Sequence, residues 1–167
     1  MKPLVVYCHG YGSSATTDKV QNLRDFGFDV FAWDIDIDPS VSMPILEDKI
    51  DDLLIDHINE DVNLVFVGTS LGCWYASRLA DEYGSKAILI NPSYTPSKRL
   101  VGYGVSDEIA SKYSDTVIDG NDIVIVAWDD EVIDHTGRDF SKAKFVIYST
   151  GGHRFNGPEF DMVKDLI

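Results

Sequence analysis

The sequence predicts an α/β protein built on a mostly parallel sheet. Apolar runs of strand length alternate along the chain with segments of helical spacing. The runs are continuous rather than alternating, as expected of strands covered on both faces, and glycine- or proline-bearing turns separate them. The 167 residues, 44% hydrophobic and 25% charged, suit one domain with a buried core.

Leu4–Cys8 is the first expected strand, broken by Gly10-Tyr11-Gly12-Ser13-Ser14. A helix is expected over Ala15–Gly27 and a second strand over Phe28–Trp33. Pro39-Ser40 marks a loop, after which Ser42 is the expected N-cap with Pro44 in the first turn. Leu46, Ile50, Leu53, Leu54 and Ile58 then draw one apolar stripe, opposite Glu47, Asp48, Asp51 and Asp52, which read as a solvated face. Strands follow at Leu64–Val67, Ala87–Ile90, Ile123–Ala127 and Phe145–Tyr148. Helices are expected at Leu71–Tyr83, Asp134–Ala143 and Pro158–Ile167, and Ser93–Gly120 is the least regular stretch. Six mostly parallel strands with helices on both faces make a three-layer sandwich.

The charge narrows the function. With 28 acidic against 14 basic residues, the net charge is −14, and only Lys98-Arg99 sets two basic residues side by side. No basic patch suits nucleic acid or an anionic membrane. The short apolar run at Leu4–Cys8 spans no bilayer and precedes no cleavage pattern, so a soluble, cytoplasmic protein is expected. Cys8 and Cys73 form no disulfide framework and read as buried free thiols.

Chemistry concentrates at Gly68-Thr69-Ser70-Leu71-Gly72, a G-x-S-x-G between a predicted strand and a predicted helix. There the Ser70 hydroxyl projects above the sheet edge, near the positive end of a helix. A serine hydroxyl needs a base and an acid, in the chain order Ser, acid, His. His153, in Gly151-Gly152-His153 after the sixth strand, is the expected base. His9 precedes the motif, His57 falls on a helix stripe, and His135 reads as an exposed or capping residue. The run Trp128-Asp129-Asp130-Glu131-Val132-Ile133-Asp134 offers four carboxylates after the fifth strand. Position favours Asp129 or Asp130, and Asp134 reads as a helix N-cap. The oxyanion donors are expected to be the backbone N–H groups of Leu71 and Tyr11, the latter in the glycine-rich turn His9-Gly10-Tyr11-Gly12. That turn lacks the third glycine of a dinucleotide fingerprint and the Gly-Lys-Ser/Thr of a P-loop.

Several motifs in order resemble one family. They are Tyr7-Cys8-His9-Gly10-Tyr11-Gly12-Ser13-Ser14, the Ser70 pentapeptide with Cys73-Trp74-Tyr75-Ala76, Asn91-Pro92, Asp130-Glu131-Val132-Ile133-Asp134 and Gly151-Gly152-His153-Arg154-Phe155. The chain resembles the YqiA-like esterases, small α/β hydrolases with a minimal core. The resemblance runs nearly end to end and implies a minimal α/β-hydrolase domain over residues 1–167. It is weakest over Ser93–Gly120, which reads as a small cap or irregular insertion around 93–120. It also implies a Ser–Asp–His triad of Ser70, Asp130 and His153, with Asp129 as fallback acid. Cys73 and Trp128-Asp129 depart from the family's smaller residues.

Acyl transfer to water is the expected reaction, through an acyl-enzyme and with no metal or organic cofactor. The expected partner is a small acyl ester of short to medium chain, because the only room for a cap is small. A thioesterase with the same triad and a non-catalytic binding module are the rival readings. The acidic surface weighs against a coenzyme A thioesterase, although Lys98 and Arg99 would serve a phosphate.

Overall fold

The computed structural model describes residues 1–167. The apolar runs become six strands: β1 (Lys2–Cys8), β2 (Asp29–Ala32), β3 (Val62–Thr69), β4 (Lys86–Ile90), β5 (Ile123–Ala127) and β6 (Phe145–Ser149). They form one sheet in the order β2-β1-β3-β4-β5-β6, and every pairing is parallel. All strand C-termini therefore share one edge, where the crossover loops can meet.

The pleat sorts the core into two layers. Leu4, Val6, Leu64, Phe66, Ala87 and Leu89 pack with α2 (Pro39–Asp56) and α3 (Gly72–Glu82). Val5, Tyr7, Val65, Val67, Ile88 and Ile90 pack on the other face, with α1 (Asp18–Asp25) and a closing 3₁₀ helix over Pro158–Asp165. Each fully buried aliphatic or aromatic side chain contributes about 1.5–3 kcal/mol relative to exposure. Cys8 and Cys73 are buried free thiols, and burial pushes the Cys8 thiol up to about 12. No helix is long and apolar enough to cross a membrane.

Several element boundaries differ from the sequence expectation for local reasons. α1 starts only at Asp18, because Thr17 caps it by accepting from the Val20 N–H. α2 starts at Pro39 under an Asp38 cap, not at Ser42. The Ser42 hydroxyl instead lies within 3.0 Å of the Asp36 and Asp38 carbonyls and the Tyr75 hydroxyl. Because α2 ends at Asp56, Ile58 leaves the stripe and is exposed.

Ser93–Gly120 holds two short helices, α4 (Pro96–Gly102) and α5 (Asp107–Ala110). The helix expected over Asp134–Ala143 does not form. Asp134 accepts from the Thr136 N–H and Asp139 from the Ser141 N–H, while Gly137 sits at φ +69°. Such local side-chain bonds offer the backbone an alternative to helix. The segment still covers the sheet, with Phe140 packed on Val124 and Val126. The last segment winds as a 3₁₀ helix rather than an α-helix.

Candidate active site

Ser70 stands between β3 and α3 with φ +53°, a left-handed backbone that costs a non-glycine residue about 1–3 kcal/mol. Its surroundings over-determine that conformation. The Ser70 N–H donates to the Ile90 carbonyl at 3.0 Å, and its own carbonyl accepts from Cys73 and Ser93. Gly68 and Gly72 make the turn possible. A Cβ on Gly68 would lie 2.6 Å from the Gly72 carbonyl oxygen, and one on Gly72 would collide with the Cys8 carbonyl. Cys73 lies beneath the turn, its thiol donating to the Gly68 and Ile90 carbonyls at 3.2 and 3.3 Å.

His153 closes on Ser70 from the loop after β6. Its Nε2 is 3.1 Å from Ser70 Oγ, and its Nδ1 is 2.9 and 3.1 Å from the Asp130 carboxylate oxygens. An ionised carboxylate only accepts, so Nδ1 carries the proton and Nε2 is free to accept from Ser70. The Asp130 side chain is buried, 1% exposed. Burial opposes its charge. Hydrogen bonds from His153, from the Ile133 and Val132 N–H groups and from His135 outweigh that cost and hold the carboxyl below its usual range.

The flanking acids do different work. Asp129 accepts from the Gly152 and Gly151 N–H groups at 3.0 and 3.2 Å, and Glu131 from the His153 N–H at 2.9 Å. These backbone bonds hold both carboxyls below their ordinary values. Three consecutive acids thus grip one loop, Asp130 by the imidazole and its neighbours by the backbone.

Asn91, Tyr94 and His135 contribute in ways the sequence reading did not assign to them. Asn91 is fully buried at φ +48°. Its side-chain amide donates to the Gly152 and His153 carbonyls, and its oxygen accepts from the Ala127 N–H. It therefore ties the His153 loop to the end of β5. His135 is no exposed cap. Its side chain is 8% exposed, with Nε2 2.9 Å from Asp130 and Nδ1 2.6 Å from the Tyr94 hydroxyl.

Burial lowers the His135 pKa despite the pull of Asp130, so the ring is neutral at pH 7. It donates from Nε2 and accepts from Tyr94, whose phenol burial drives well above its ordinary value. The line runs Tyr94, His135, Asp130, His153, Ser70. The signal the sequence offered was a histidine five residues past the candidate acid.

On the other side of Ser70 runs the loop after β1. A Cβ on Gly10 would lie 3.3 Å from Ser70 Cβ, so the backbone passes close against Ser70. His9 fixes this loop: Nε2 accepts from the Ile35 N–H at 3.0 Å, which leaves Nδ1 to donate to the Gly10 carbonyl at 2.8 Å. The N–H groups of Tyr11 and Leu71 donate to no backbone carbonyl. The Tyr11 ring stacks on Tyr103 at 5.4 Å, bringing the Ser93–Gly120 segment over the loop. That segment is tied down by the Lys112–Asp38 ion pair at 2.6 Å and by the Tyr113 hydroxyl donating to Ile37.

His57 ends α2, its Nδ1 2.9 Å from the Leu53 carbonyl. Arg99 donates to the Tyr103 hydroxyl, and neither it nor Lys98 borders the cavity at Ser70. That cavity, of about 580 Å³, is bordered by Ser70, His153 and the Gly10–Ser14 turn.

Known proteins share this arrangement of chain. Residues 4–164 match the family model described as UPF0227, an uncharacterised protein family. A UPF0227 protein of Shewanella woodyi is 23% identical over 142 residues, 79% of this chain and 78% of that protein. An esterase from Pyrococcus furiosus superposes with a TM-score of 0.72 at 14% identity, over 98% of this chain and 80% of its own. Mouse alpha/beta hydrolase domain-containing protein 10 does so with a TM-score of 0.68 at 13% identity, over 97% and 86%. These likenesses establish the α/β-hydrolase fold. With a family model spanning nearly the whole chain, and with the motifs that resemble the YqiA-like proteins set around one sheet edge, the protein belongs to the UPF0227 family.

Proposed function

We propose that the protein is a serine hydrolase that cleaves short to medium acyl esters through an acyl-enzyme on Ser70. The observation that carries the reading is the unbroken line from Ser70 Oγ to His153 Nε2 at 3.1 Å and from His153 Nδ1 to Asp130 at 2.9 Å. His153 Nε2 takes the hydroxyl proton as Ser70 Oγ attacks the ester carbonyl. Asp130 orients the ring and stabilises the imidazolium. The N–H groups of Tyr11 and Leu71 receive the oxyanion, each such donor being worth about 2.7–4 kcal/mol of barrier. His153 then returns its proton to the leaving alkoxide. Water, deprotonated by the same nitrogen, releases the acid.

The Ser93–Gly120 segment serves as a small cap, since it lies over the Tyr11 loop through Tyr103. The test is hydrolysis of aryl esters of two to eight acyl carbons by the wild type and Ser70→Ala. Turnover of the shorter esters, lost in the variant, is expected. Equal rates for the two proteins would overturn the reading.

A further inference from the structure

The cavity at Ser70 is unlike a greasy acyl tunnel. Ligand pockets for hydrocarbon are lined mostly by apolar side chains, whereas only two hydrophobic residues line this one. Ser13, Thr16 and Thr17 border a space that also takes in Lys19 on the first turn of α1 and Arg154 beside His153. Asp18 is the one acid in the lining. Neither Lys19 nor Arg154 is in a salt bridge. A smaller cavity of about 200 Å³, also bordered by the Gly10–Ser13 turn, is lined by Ile35, Ile37 and Leu71.

Two unpaired cations beside a nucleophile stand out in a chain of net charge −14. At physiological ionic strength the distant surface acids are screened beyond about 8 Å, so the local pair sets the field at the cavity. Lys19 is half-buried, and burial lowers its ammonium to about 8, Arg154 pushing the same way and Asp18 opposing. An incoming anion would supply the missing counter-charge.

We infer that the substrate is an ester bearing an anionic group, a carboxylate or phosphate, which Lys19 and Arg154 hold in the polar cavity beside Ser70. The inference rests on the hydrolase reading above and narrows it from acyl esters in general to anionic ones. The hydrocarbon next to the scissile carbonyl is correspondingly short.

The experiment compares kcat/KM for paired substrates in low salt. One pair is an aryl hemisuccinate and the matching aryl butyrate, with the charge on the acyl side. The other is 2-phosphoethyl butyrate and 2-methoxyethyl butyrate, with the charge on the alcohol side. The anionic member of at least one pair is expected to be preferred by about tenfold or more, the worth of one charge-assisted hydrogen bond. The pair that shows the preference tells on which side the anion sits.

That ratio is expected to fall about tenfold in Lys19→Gln and in Arg154→Gln, to survive in Lys19→Arg, and to shrink with added salt. Ser70-dependent hydrolysis of all four esters with ratios at or below one would overturn the inference and leave the hydrolase reading standing. Hydrolysis of none would overturn the hydrolase reading, and the inference with it.

Discussion

The Ser70 turn and the acid loop after β5 reach the same end by opposite means. The turn is fixed by what is absent: Gly68 and Gly72 have no Cβ where the neighbouring backbone leaves no room for one. The loop Trp128–His135 is fixed by what is present, a set of carboxylates spent on backbone N–H groups and two imidazoles. A turn specified by exclusion tolerates no added atom. A loop specified by hydrogen bonds loses its parts one at a time, each with a graded cost.

Substitutions can break that contrast. Gly72→Ala is expected to cost more than about 4 kcal/mol, because the Cys8 carbonyl cannot retreat from the middle of the sheet edge. Chemical denaturation checks it, and near-wild-type stability would show that the turn can yield. In the acid loop, Asp130→Asn is expected to lower kcat by about 10⁴, the scale seen when the acid of a known serine hydrolase triad is neutralised. Asp129→Asn and Glu131→Gln, which touch only backbone, are expected to cost about tenfold or less. A reversal of that order in steady-state kinetics would reassign the acid.

His135→Phe keeps bulk but removes the donor to Asp130 and the acceptor for Tyr94. It is expected to lower kcat by about tenfold with KM little changed, as a positioning residue should. Unchanged kcat would make the Tyr94–His135 arm purely structural.

The smallest expected effect is on acid stability. Asp129, Asp130 and Glu131 all have carboxyls held below their ordinary range in the folded state. Their contribution is present above the unfolded value of about 4 and lost as the pH falls through the lower folded values. Denaturation midpoints are expected to drop below about pH 4, and to drop less in Asp129→Asn and Glu131→Gln. An identical acid limb in all three proteins would deny these bonds any role in stability.

The same contrast explains what the sequence made legible. Five of the six strands are nearly continuous apolar runs, and the turn at Ser70 announces itself because exclusion demands glycine at fixed spacing. The order Ser70, Asp130, His153 follows from strand ends, and the resemblance singled out Asp130 from four carboxylates. The roles of Asp129 and Glu131 were hidden because a carboxylate holding a backbone N–H leaves no spacing signature.

His135 was misread because Asp134–Ala143 looked helical, while local carboxylate turns and Gly137 keep it irregular. Asn91 looked like a strand end followed by proline, and its grip on the His153 loop depends on a contact 62 residues away. The start of α2 was misplaced because Ser42 and Asp38 are both good caps, and Ser42 was claimed by Tyr75.

The central claim is that Ser70 is a nucleophile activated by His153. Intact-mass and peptide analysis after treatment with a fluorophosphonate tests it most directly. One adduct per chain is expected, on Ser70, absent in Ser70→Ala and strongly slowed in His153→Ala. No adduct on the folded wild type, or an adduct on another residue that persists in Ser70→Ala, would contradict it.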